Sequence, residues 1–136
     1  MLIRLTVENL ALIEREEIEL TEGLNVLTGE TGAGKSILLG ALGLALGGKA
    51  QKDIIRDPAR DAFVEAVFSA DNPAVVEALR LLDVEVYDDQ VILSRRIGET
   101  RSSAKINGES VPSPKLQKVG EVLIDIYGQH EHQSLL

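Results

Sequence analysis

Residues 29–36 read Gly-Glu-Thr-Gly-Ala-Gly-Lys-Ser, and no other stretch constrains the fold of the chain as strongly. Glycines at 29, 32 and 34 permit positive φ and remove side chains, so successive backbone N–H groups can turn toward a single point. The β-prone run Leu24–Thr28 comes before this loop. After it, Ile37, Leu38, Ala41, Leu42, Ala45 and Leu46 recur at helical intervals, and Gly47-Gly48 closes the helix. Strand, glycine loop and helix in this order match G-x-x-x-x-G-K-[ST], in which loop amides and the positive end of a helix cradle phosphate oxygens.

The pattern assigns chemistry to individual positions. The amides of residues 32–36 face the phosphates, Lys35 reaches the β- and γ-phosphates, and the Ser36 hydroxyl takes one Mg²⁺ coordination position. The stretch is not a dinucleotide fingerprint, because Ile37 stands where the third glycine would be. A cradle does not hydrolyse anything by itself. That requires a further Mg²⁺ carboxylate, a group that positions water and a positive group on the transferred phosphoryl.

The remaining chain reads as one domain, residues 1–136. Aromatics make up 3% of residues, so the core is aliphatic, and the absence of Cys excludes disulfides, thiolate metal sites and a Cys nucleophile. Period-two alternation in residues 2–9 and 12–20 predicts an antiparallel pair, and residues 62–69 a further strand. Residues 71–82 carry Asp71 or Asn72 as cap and Pro73 in the first turn of a helix with Val75, Val76, Leu79 and Leu82 on its apolar face. Residues 84–111 alternate again, with turns at Asp88-Asp89, Gly98-Glu99 and Asn107-Gly108, as a meander. Residues 113–122 predict a helix despite Gly120, and Leu123–Gly128 a final strand. The longest nearly apolar run, Ile37–Gly47, is too short to span a bilayer, and the expectation is a soluble protein without a membrane role.

A net charge of −8 argues against a chain that coats nucleic acid over its whole surface. The charge is unevenly distributed, however. Residues 95–118 hold Arg95, Arg96, Arg101, Lys105, Lys115 and Lys118 against Glu99 and Glu109, which makes a local basic patch, with Arg95 and Arg96 at its centre, a candidate DNA contact.

The segment Val122–Gln133 admits two readings. Val122, Leu123, Ile124 and Asp125 imitate an apolar strand ending in a Mg²⁺ carboxylate, and Asp125-x-x-Gly128-Gln129 imitates the D-x-x-G-Q of small GTPases; yet no N-K-x-D appears to select guanine. In the other reading Gln129 is the glutamine of a Q-loop. Taken with residues 9–50, "DIIRDPA" (53–59), "KINGESV" (105–111) and above all "DIYGQHEHQSLL" (125–136), the chain resembles the RecN family of bacterial DNA repair proteins, SMC-like ABC-type ATPases, over essentially its whole length.

The resemblance implies an α/β fold: a P-loop NTPase of ABC/SMC-head type, N-terminal lobe, with an antiparallel β subdomain. It implies ATP and Mg²⁺ as ligands, with Gly29, Glu30, Thr31, Gly32, Ala33, Gly34, Lys35 and Ser36 as the ATP-binding loop and Gln129 contacting Mg²⁺ and the attacking water. Arg56 resembles an arginine placed near the nucleotide or DNA, and Asn9 lies where the first strand turns beside the base. Lys35 and Gln129 are the candidate catalytic residues, and Ser36 and Gln129 the candidate Mg²⁺ contacts. His130, Glu131 and His132 lack metal-site spacing and read as loop geometry.

The family completes its site with an S-G-G-type signature, an Asp-Glu strand end and a switch His in a C-terminal lobe beyond a coiled coil, none of which occurs here. The expectation is therefore a segment of a head that joins a C-terminal lobe and a homodimer partner, meets DNA through the full-length protein, and works in the cytoplasm at the nucleoid. The alternative from another class is a nucleotide-binding association module without turnover.

Overall fold

The computed structural model describes residues 1–20 and 32–128. Six strands, β1 (Leu2–Leu10), β2 (Ile13–Glu19), β3 (Ala62–Ser69), β4 (Gln90–Ile97), β5 (Ser102–Ile106) and β6 (Glu109–Val111), form one sheet in the order β2-β1-β3-β4-β5-β6. Every pairing in it is antiparallel. The helices are α1 (Gly32–Ala45), α2 (Pro73–Leu81) and α3 (Ser113–Leu123), the last continuing into a π-helical turn, Ile124–Gly128.

Alternation decides which sheet face is covered. Leu5 and Val7 of β1, Val64, Ala66 and Phe68 of β3, and Val91, Leu93 and Ile97 of β4 are buried in one cluster with Ala41, Leu42, Ala45, Leu79, Leu116, Val119 and Leu123 from the helices. The intervening positions, among them Glu8, Phe63, Glu65, Ser94, Arg96, Ser103 and Lys105, form the other face. There the Arg96 guanidinium lies 5.0 Å from the centre of the Phe63 ring, its cross-strand neighbour. The Asn107-Gly108 turn takes φ of 52° and 83°, the left-handed pair that a tight β5–β6 hairpin requires.

α2 begins as its sequence predicts: Asn72 Oδ1 accepts the Ala74 N–H at 2.8 Å, and Pro73 occupies the first turn. The strand expected at Leu123–Gly128 is not formed. Leu116, Val119, Gly120 and Leu123 are buried at helical spacing, and the helix runs on through Ile124, Asp125 and Ile126. The apolar run was ambiguous between strand and helix, and burial of the i, i+3, i+4, i+7 stripe decided it. Gly120 is needed where α3 crosses the end of α1, because a Cβ there would overlap the Leu46 carbonyl.

Candidate nucleotide site

α1 begins at Gly32, inside the glycine motif, and its first turn carries no acidic side chain to occupy the N-terminal amides. A helix start without a carboxylate of its own leaves those donors for an external anion, so the donor set suits a phosphate group. Ser36, one turn in, is exposed. Gly32, Ala33, Gly34 and Lys35 are described through their helical backbone, whereas Gly29, Glu30, Thr31, the run Leu24–Thr28, and Gln129, His130 and His132 lie outside the described residues.

The far end of the same helix is tied down by Arg95. Its Nη1 donates to the Leu44 carbonyl at 3.0 Å and to the Gly48 carbonyl, while Gly47 N–H and Gly48 N–H close the helix on Leu44 O at 3.1 Å and Gly43 O at 2.9 Å. A cation at a helix C-terminus meets the negative end of the helix dipole. Burial lowers the pKa of this guanidinium from its ordinary value, and the side chain is 8% exposed. This corrects the expectation that Arg95 contributes to a basic surface: it points into the core, and Arg96 alone of the pair is exposed. The signal was available in the sequence, since Arg95 is in phase with Val91, Leu93 and Ile97.

Asn9 and Arg56, far apart in the chain, are brought together. Asn9 takes φ of 55° and is 1% exposed. Its carbonyl accepts the Arg56 N–H at 3.1 Å and its Oδ1 accepts the Asp57 N–H at 2.8 Å. Its Nδ2 donates to the carbonyls of Asp57 at 3.0 Å, Arg60 at 3.0 Å and Asp61 at 3.3 Å. The Asn9 amide is thus engaged by the 57–61 loop, and Arg56, whose side chain is exposed, is positioned by it. Beside this clasp, an apolar cavity of about 290 Å³ lies between Leu10 and Ala11, the Ile37–Leu44 stretch of α1 and the Lys49–Ile54 segment.

Asp125 sits in the helical turn after α3 and is exposed, not at a strand end, so the small-GTPase arrangement of strand, Asp and Gln is not built here. Among the described residues no group of three or more His, Cys, Asp or Glu is placed to hold a metal ion, and no helix is long and apolar enough to cross a membrane.

Comparison with known proteins agrees with this arrangement. The family described as "AAA domain" matches residues 4–134. The DNA repair protein RecN of Vibrio cholerae serotype O1 is 41% identical over 138 residues, covering 100% of this chain and 25% of its own length. The RecN of Bacillus subtilis strain 168 is 35% identical over 138 residues, covering 100% and 24%. The chain therefore spans about a quarter of the length of these relatives. Among solved structures, a chain from work on ATP-driven dimerisation and DNA-stimulated activation of SMC ATPases superposes with a TM-score of 0.68 at 21% identity, over 90% of this chain and 79% of that one. The Smc head domain with coiled coil and joint from Pyrococcus yayanosii gives 0.69 at 18% identity, over 96% of this chain and 28% of that one. At these identities the structural likeness speaks for the fold alone.

Proposed function

The chain belongs to the AAA domain family and has the fold of the N-terminal lobe of an ABC/SMC-type ATPase head, and on that basis we propose that it is the ATP-binding lobe of a RecN-like ATPase acting in DNA double-strand break repair and recombination. The observation that carries the reading is the start of α1 inside GETGAGKS with no acidic residue in its first turn.

In this reading the amides of residues 32–36 and the Lys35 ammonium neutralise phosphate charge, and the Ser36 hydroxyl and the Gln129 amide hold Mg²⁺. That ion, when bound, supplies electrostatic stabilisation of the charge that develops on the phosphoryl oxygens. Gln129 also orients the attacking water, and Arg56, presented beside the Asn9 clasp, faces the nucleotide or DNA. Two heads sandwich ATP, with the cradle of one facing the C-terminal lobe of the other, so that ATP joins heads and hydrolysis parts them. The lobe alone binds nucleotide without turnover, because the catalytic carboxylate belongs to the other lobe. The full protein works in the cytoplasm, at the nucleoid.

Saturating MgATP should raise the unfolding midpoint of the chain, by about 2.7 kcal/mol of added stability at a hundredfold excess over Kd. Lys35→Ala should abolish the shift. Turnover by the isolated chain that depends on Lys35, or a clear preference for GTP in competition with ATP, would overturn the reading.

A further inference from the structure

α1 is 14 residues long, and the side chains that bury it against the sheet come from its C-terminal part: Ala41, Leu42, Leu44 and Ala45, with Leu46 just beyond. Nearer its start, Ser36 and Gly40 are exposed and Ile37, Leu38 and Leu39 are half-buried. A Cβ at Gly40 or Gly43 would meet nothing within 4 Å. The half that carries the phosphate-facing amides is therefore a lever whose direction is set at the other end.

From Gly34 to Leu44 the helix rises about 15 Å, so a tilt of roughly 10° at the anchor would displace the cradle by roughly 2–3 Å. A displacement of about 1 Å is already enough to cost about a hundredfold in a positioned reaction. Among the described residues, Arg95 is the one side chain that hydrogen-bonds the carbonyls at this anchor, Leu44 and Gly48, and it reaches them from β4 across the core. Its guanidinium can engage two acceptors at once, which fixes a direction as well as a distance.

We propose that Arg95 is a positioning residue for nucleotide binding: by holding the Leu44 and Gly48 carbonyls from β4 it sets the tilt of α1, and with it the aim of the phosphate cradle, without touching the nucleotide. The proposal rests on the nucleotide-binding reading above.

The test uses the full-length protein with MgATP as probe. Affinity by calorimetry, KM and kcat for ATP hydrolysis, and the denaturation midpoint are measured for Arg95→Met and Arg95→Lys. Arg95→Met should weaken MgATP binding roughly tenfold or more and raise KM, while the protein remains folded at the assay temperature. Arg95→Lys should recover part of the loss, since an ammonium can reach one of the two carbonyls. Should Arg95→Met not fold, Gly48→Ala addresses the same interaction from the other side, because a Cβ there would lie 2.8 Å from the Gly43 carbonyl and displace the acceptor. It should weaken binding similarly, and combining it with Arg95→Lys should add less than the sum of the two.

Folded Arg95→Met with wild-type affinity and KM would overturn the proposal, as would an affinity loss that tracks the loss of folded protein in every variant. If Lys35→Ala loses MgATP while Arg95→Met keeps it, nucleotide binding stands and the positioning role falls. If the wild-type protein binds no MgATP, both fall.

Discussion

Asn9 and Asp57 clasp each other in both directions: the Asp57 N–H donates to Asn9 Oδ1 at 2.8 Å, and Asn9 Nδ2 donates to the Asp57 carbonyl at 3.0 Å. The asparagine side chain thereby extends the edge of β1 toward a loop 48 residues further along, and its positive φ of 55° is a conformation that Asn tolerates better than most residues. Asn9→Ala removes the clasp, leaves buried backbone groups of the 57–61 loop without their partner and keeps a strained φ. It should cost about 2–4 kcal/mol. Asn9→Gly relieves the φ and still loses the bonds, so a comparison of the two by urea unfolding separates strain from hydrogen bonding; equal stability of both variants with wild type would contradict the assignment.

Gly120→Ala sets two effects against each other. Helix propensity favours Ala by about 1 kcal/mol. The new Cβ, however, would overlap the Leu46 carbonyl, a backbone atom that cannot rotate away, and overpacking of this kind costs about 1–3 kcal/mol. The expected outcome is net destabilisation, read as a lower denaturant midpoint with an unchanged slope.

Any DNA binding by the sheet's open face falls to Arg96 and Lys105, since Arg95 is committed to α1. In the full-length protein, Arg96→Glu and Lys105→Glu should each weaken DNA binding and reduce the salt slope by about 0.9 for each phosphate no longer neutralised. A slope unaltered in the double variant would remove this face from consideration.

With its amine free, Met1 gives the fold a pH dependence. Its ammonium donates to the Ser69 carbonyl at 3.4 Å, and burial lowers its pKa from 8.0 to about 6, with Asp71 opposing the shift. Between pH 6 and 8 the unfolded chain then binds more protons than the folded one, so this group makes stability rise with pH across that window and fall as pH drops toward 6. Denaturant unfolding at both pH values, with and without N-terminal acetylation, isolates it from other groups. The rise should flatten on acetylation.

Much of the fold is legible in short stretches of sequence. The alternation of β1 to β5, the Asn72-Pro73 helix start, the Asn107-Gly108 turn and the glycine loop leading into α1 each depend on neighbours within a few residues, which is the range over which backbone preference and amphipathic period act. The extension of α3 through Ile124–Ile126 was not legible, because a short apolar run satisfies a strand and a helix equally until its partners are known.

Phosphate chemistry at residues 29–36 follows from residue order alone, since no other arrangement explains glycines, Lys35 and Ser36 at that spacing before an apolar helix. The work of Arg95, Asn9 and Gly120 emerges only from the packed chain. Each acts on backbone carbonyls or amides remote in the chain, Leu44 and Gly48, the 57–61 loop, and Leu46. Which polar or small side chain meets a distant backbone group is set by how the elements pack, and no local pattern encodes it.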